Sequence, residues 1–242
     1  MSLNETTSSN LRVREATLDD VDGWVTAMLA GYEIDHQFVY RYPFRKQYPE
    51  DARSASAAVF KNFIANPNTV PLVAEAPIER PDGSSTGKWT IAAIACWEWR
   101  SIDDVENEAH PSSFSAPGTT RRDMDPQRQK VFIDAIVASE KRHFGPEWGR
   151  SRIELQDLAC DPRFSRRGAG TALTRWGLRK AQDQGLPVML TASPLGRLIY
   201  KKLGFQDLEY VECGIEGEEE KVGTWVMVWT PQGWEKPEQH AQ

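Results

Sequence analysis

The chain has 242 residues with 29 Lys and Arg against 35 Asp and Glu, a formal net charge of -6. That balance excludes a nucleic-acid binder working through bulk positive charge, because phosphate neutralisation requires a basic surface. A 40% hydrophobic content with 10% aromatics is enough for a substantial core, and no repeat or linker divides the chain. One domain is therefore expected over 11–230, with flexible ends at 1–10 and 231–242. The N-terminal MSLNETTSSN lacks an apolar signal region, and the longest apolar run, IAAIACW at 91–97, is too short for a bilayer. The expected address is the cytoplasm, with the nucleus left open and no membrane partner. Cys96, Cys160 and Cys213 have no metal-ligand spacing and are expected as buried or half-buried thiols.

In chain order, LRVREAT (11–17) alternates with strand period. LDDVDGWVTAMLAGYEI then gives an acidic first turn and Val21, Trp24, Val25, Met28 and Leu29 at helical spacing. A second helix is predicted over 51–66, with Ala55, Val59, Phe60 and Phe63 on one face. TVPLVAEA (69–76) and KWTIAAIACWEWR (88–100) flank the turn-rich ERPDGSSTG, which predicts an antiparallel hairpin with a long loop. Residues 101–125 read as irregular. A helix is predicted over 126–144, facing inward with Phe132, Ile133, Ile136 and Val137. The strand RIELQDLAC is followed by a helix over 168–184 with Ala169, Ala172, Leu173, Trp176 and Ala181 as its buried stripe. Gly185 and Pro187 end that helix. VMLTAS, LGRLIYKKLGF and TWVMVWT add a strand, a short helix and a further strand.

The stretch RRGAGTAL (166–173) stands between a strand and a helix and contains no carboxylate. A helix N-terminus exposes unpaired N–H groups and a partial positive charge, usually offset by Asp, Glu or Ser. Here an external anion is the expected partner, with Gly168 and Gly170 allowing it close to the backbone. The stretch lacks the Gly-Lys-Ser/Thr ending of a P-loop. It also lacks the third glycine and downstream acid of a dinucleotide fingerprint. The alternative is a glycine-rich helix start chosen for close packing.

Arg167-Gly168-Ala169-Gly170-Thr171-Ala172 resembles the acyl-CoA pyrophosphate loop of the GNAT acetyltransferase superfamily, and VMLTASPLGRLIYKKLGF resembles that superfamily's second motif. Together they cover roughly 150–206. The flanking residues are most similar to fungal small-molecule-type members, and ELQDLACDPRFSRRGAG aligns without gaps with arylalkylamine N-acetyltransferases. The resemblance implies an α/β (α+β) GNAT fold, with a mixed, mostly antiparallel sheet of about seven strands flanked by helices. It also implies a splayed parallel pair at the acyl-CoA site, acetyl-CoA as co-substrate and no metal. The implied cofactor contacts are Leu158, Ala159, Cys160, Arg166, Arg167, Gly168, Ala169, Gly170, Thr171, Ala172 and Ser193.

Acetyl transfer to an amine needs a neutral nucleophile. An alkyl ammonium with a pKa of about 10.4 lies about 4.6 kcal/mol from its neutral form at pH 7, so a base is expected. In the ungapped comparison Glu154 and Gln156 occupy the positions of two histidines on the arylalkylamine enzymes' proton path, which makes Glu154 the first choice. Glu98 is the chief rival, and Asp157 comes third because a regular strand would point it to the opposite face. Tyr200 stands where the superfamily's thiol-facing tyrosine does and is assigned to the departing thiolate, with core packing as its alternative. The superfamily commonly walls the acceptor pocket with the connector after the first helix. Here that is HQFVYRYPFRKQYPED, with Phe38, Tyr40, Tyr42, Phe44 and Tyr48, read as a wall for an apolar amine or as an edge strand. His36 and His110 are placed in loops and not as ligands. The expected partner is a small-molecule amine, with neither nucleic acid nor membrane. A peptide acetyltransferase using the acidic 216–220 run and a non-catalytic acyl-CoA-binding module are the alternatives.

Overall fold

The strand-period run near the N-terminus forms β2 (Arg12–Glu15), preceded by the two-residue β1 (Glu5–Thr6). The structure is a computed structural model and describes residues 5–6, 10–101 and 118–236. The expectations for 1–4, 7–9, 237–242, most of 101–125 and His110 therefore lie outside the described residues.

A short 3-10 turn leads into α1 (Val21–Tyr32), where Trp24, Val25 and Met28 are buried as the spacing required. The connector then departs from expectation. It forms a helix, α2 (His36–Arg41), whose N-cap Asp35 accepts the N–H of Gln37 at 2.8 Å. Its alternate aromatics also stand four apart, and Phe38 packs on Tyr42 with centroids 4.5 Å apart, a helical contact that the edge-strand reading missed. α3 (Pro49–Ala65) carries Pro at its start, acids in its first turn and the predicted buried face.

β3 (Thr69–Glu79) and β4 (Ser85–Ser101) pair further than predicted, leaving only residues 80–84 as the connection. α4 (Pro126–His143) is capped by Asp125 and ends in Lys141, Arg142 and His143, matching its dipole at the C-terminal end. β5 (Ser151–Cys160), α5 (Ala169–Gln184), β6 (Val188–Ala192) and α6 (Pro194–Lys202) follow as read. β7 (Gln206–Cys213) precedes β8 (Val222–Trp229) and was not among the predicted strands.

The eight described strands form one sheet in the order β1-β2-β3-β4-β5-β6-β8-β7. All neighbours are antiparallel except β5 and β6. One face carries α1 and α3, packing Trp24, Phe60 and Phe63 on Val73, Ile94 and Cys96. The other face carries α5, packing Leu173 and Trp176 on Leu72, Ala95, Trp97 and Leu155. Trp97 ties the layers together by donating its indole N–H to the Leu173 carbonyl at 3.3 Å. The three cysteines are free thiols, two buried and Cys160 half-buried.

Candidate active site

β5 and β6 pair at only two positions, Ile153 with Val188 and Glu154 with Met189. Their continuations line a cavity of about 430 Å³ closed by α1, α2 and α4 on one side and α6 on the other. Leu158, Ala159, Cys160, Arg166, Ser193 and Tyr200, all predicted site residues, line it together.

A β-bulge determines which carboxylate reaches this cavity. Cys96 pairs with Asp157 and Trp97 with Leu155, so Gln156 is the extra residue on β5. The bulge inverts the alternation: Asp157 opposite Cys96 and Glu154 opposite Glu98 share one face, whereas a regular strand would have separated them. Asp157 lines the cavity and accepts a hydrogen bond from the hydroxyl of Tyr32 at the end of α1. Burial pushes the Asp157 carboxyl up to about 7, against the opposing effect of the Tyr32 and Leu158 donors.

Glu154 has different surroundings. It is 5% exposed and accepts from Arg152 Nε at 2.6 Å and from Gln156 Nε2 at 2.8 Å, with Arg100 at 3.7 Å. The same Gln156 amide donates to Glu98 at 2.6 Å. Glu154 and Glu98 thus belong to a polar cluster beneath α4. There Glu140 is pushed up to about 8 by burial and by the nearby Glu154 charge.

Tyr200 is buried. Burial, with the neighbouring Cys160 and Asp157 groups, raises its hydroxyl well above the ordinary phenol range, so it stays protonated at neutral pH. Burial also pushes the Cys160 thiol up to about 11, which leaves it neutral and poorly nucleophilic.

At the mouth of the splay, α5 begins with neither a side-chain cap nor an acid in its first turn, as read from RRGAGTAL. Arg166 adopts φ 63° and Gly168 φ 88°, both in the left-handed region. A Cβ at Gly168 would meet nothing within 4 Å, so it is the left-handed backbone and not crowding that calls for glycine there. Gly170 has another role. A Cβ there would lie 2.9 Å from Cys160 Sγ, so this glycine allows α5 to seat on β5. Ala169 is buried, Thr171 and Ala172 are half-buried, and Arg167 lies over the Phe164 ring at 5.5 Å. Ser193 caps α6, accepting the Gly196 N–H at 3.3 Å.

Of the aromatic connector, Phe38 faces the cavity. Tyr40 instead accepts the Ile215 N–H and lies under Arg128, Tyr42 is buried behind Phe38, Tyr48 lies under Arg122, and Phe44 is exposed. In the acidic run, Glu218 and Glu220 pair with Arg128, each at 3.0 Å. Sequence reading did not select Tyr32, Asp35 or Arg41, which also line the cavity. The available signal was an aromatic and an acid at the junction of α1 and α2, with an arginine at the end of α2.

Among the described residues, no group of His, Cys, Asp and Glu is arranged to hold a metal, and no helix is long and apolar enough to cross a membrane.

No protein-family model matches the chain. It is 24% identical over 212 residues, 85% of each protein, to an acetyltransferase of Stachybotrys chartarum. The solved polyamine N-acetyltransferase of Drosophila melanogaster, described as forming N-acetylagmatine, superposes with a TM-score of 0.59 at 15% identity, covering 91% of this chain and 99% of that one. A mosquito arylalkylamine N-acetyltransferase, like 5b, gives 0.54 at 12% identity over 91% and 99% of the two chains. With its splayed parallel pair, its uncapped helix start and these likenesses, the chain has the fold of the solved N-acetyltransferases.

Proposed function

We propose that this protein transfers the acetyl group of acetyl-CoA to the amine of a small molecule by direct attack on the thioester. The observation that carries the reading is the meeting of Asp157, Tyr32 and Tyr200 in one cavity at the β5–β6 splay. The loop at 166–172 receives the pyrophosphate through backbone N–H groups at the uncapped start of α5, with Arg166 and Arg167 adding charge. The β6-facing edge of residues 158–160 holds the pantetheine arm and polarises the acetyl carbonyl. Acetyl-CoA itself supplies the activated acyl group.

Asp157 is the base in this account, in place of Glu154. Its pKa of about 7 suits proton abstraction near neutrality. The Glu154 carboxylate is already held by Arg152 and Gln156. Asp157 takes the ammonium proton, Tyr32 orients the carboxylate, and the neutral nitrogen attacks the acetyl carbon to form the C–N bond. As the C–S bond breaks, Tyr200 gives its O–H proton to the departing thiolate and takes in its place the second proton that the acylated nitrogen loses, so the products are the amide and the free thiol, with the ammonium proton left on Asp157.

Thiol release from acetyl-CoA across a panel of small amines and a histone-tail peptide tests the proposal. The expected result is N-acetylated small amine in step with thiol. Turnover confined to the peptide, or acetyl-CoA binding without turnover, contradicts it.

A further inference from the structure

Arg41 is the last residue of α2 and is 3% exposed, yet it lines the same cavity as Asp157. Its position is fixed. Nε donates to the Gln37 carbonyl at 2.9 Å, and the guanidinium lies over the Phe132 ring at 4.2 Å and near the Tyr42 ring at 5.4 Å from the centroids. A run of aromatic contacts separates it from Asp157. Tyr32, bonded to Asp157, stacks on Phe38 at 5.3 Å, and Phe38 packs on Tyr42. Asp157, Tyr32, Phe38, Phe132 and Arg41 all line the cavity, so its wall offers a carboxylate, aromatic surface and a buried guanidinium.

Asp35 is near Arg41 and partly offsets its charge, but it also caps α2 through Oδ1. Burial still holds the Arg41 guanidinium below its ordinary pKa despite Asp35 and the surrounding tyrosines. A second positive charge on the acceptor would add to that burden, whereas a compact oxyanion would relieve it through charge-assisted hydrogen bonds.

We infer that Arg41 is a specificity-determining residue that binds an anionic group of the acceptor, so the substrates are amines carrying a carboxylate beyond an apolar or aromatic body. Polyamines and other dications are disfavoured. The inference rests on the acetyl-transfer reading above and adds to it the chemical class of the acceptor.

Three acceptors on one frame test it: 2-phenylethylamine, its 4-carboxylate and its 4-aminomethyl derivative. Wild type is expected to show a kcat/KM for the carboxylate at least about tenfold above the unsubstituted amine, mainly through KM, with the dication slowest. Arg41→Met should bring the carboxylate and the unsubstituted amine to a ratio near one, and Arg41→Lys should restore part of the preference. Acetyl-CoA calorimetry confirms that each variant is folded. Equal or better turnover of the unsubstituted amine or the dication by wild type overturns the inference while leaving acetyl transfer standing, as does a preference that survives in Arg41→Met. Failure to acetylate any small amine overturns the acetyl-transfer reading and this inference with it.

Discussion

The Tyr32 hydroxyl donates a hydrogen bond to the Asp157 carboxylate, joining the last turn of α1 to the bulged part of β5. This bond favours the charged form of Asp157 and works against the upward push of burial. Tyr32→Phe should therefore raise the Asp157 pKa above about 7 and move the acidic limb of the kcat/KM profile to higher pH. A limb that stays in place or moves down would separate Tyr32 from the titrating group.

Asp157 also makes stability depend on pH. Its native pKa of about 7 exceeds the ordinary carboxylate value, so between the two the native state retains a proton that the unfolded chain has lost. Stability therefore falls as pH rises through that window. Asp157→Asn removes the effect. The variant should be more stable than wild type at pH 8, with the difference shrinking toward pH 4. Denaturant unfolding at the two pH values measures it, and a difference independent of pH would contradict the assignment.

The uncapped start of α5 was legible because its signal is local: glycines, arginines and the missing acid all lie within eight residues of sequence, 166–173. The carboxylate facing the cavity was not. A single extra residue at Gln156 reverses the facing of everything after it, and nothing in ELQDLAC marks the bulge. α2 was hidden because its aromatics satisfy strand and helix periods at once. β7 was missed because QDLEYVEC lies at the sheet edge, paired only with β8, and so carries a weak apolar alternation.

Tyr200→Phe removes one hydroxyl and little packing. Turnover should fall by roughly 10²-fold with the acetyl-CoA dissociation constant nearly unchanged. Equal turnover would make Tyr200 a core residue only.

The glycine loop separates binding from packing. Arg167→Ala and Arg166→Ala should each weaken acetyl-CoA binding by about tenfold, less at high salt, with little change in melting temperature. Gly170→Val should instead lower the melting temperature, because its side chain would press on Cys160 Sγ, a clash of about 1–3 kcal/mol. Calorimetry and thermal melts on the same preparations distinguish the two, and unchanged acetyl-CoA affinity in both arginine variants would remove these side chains from the phosphate site.

The pH dependence of kcat/KM for wild type, Asp157→Asn and Glu154→Gln tests the central claim, measured with a strongly basic alkylamine and a weakly basic aromatic amine. Wild type should show a limb near pH 7, and Asp157→Asn should lose it. Asp157→Asn should also slow the alkylamine by roughly 10²–10⁴-fold and the aromatic amine much less, while Glu154→Gln keeps the limb. A limb that persists in Asp157→Asn and disappears in Glu154→Gln would contradict the account and return the base to Glu154.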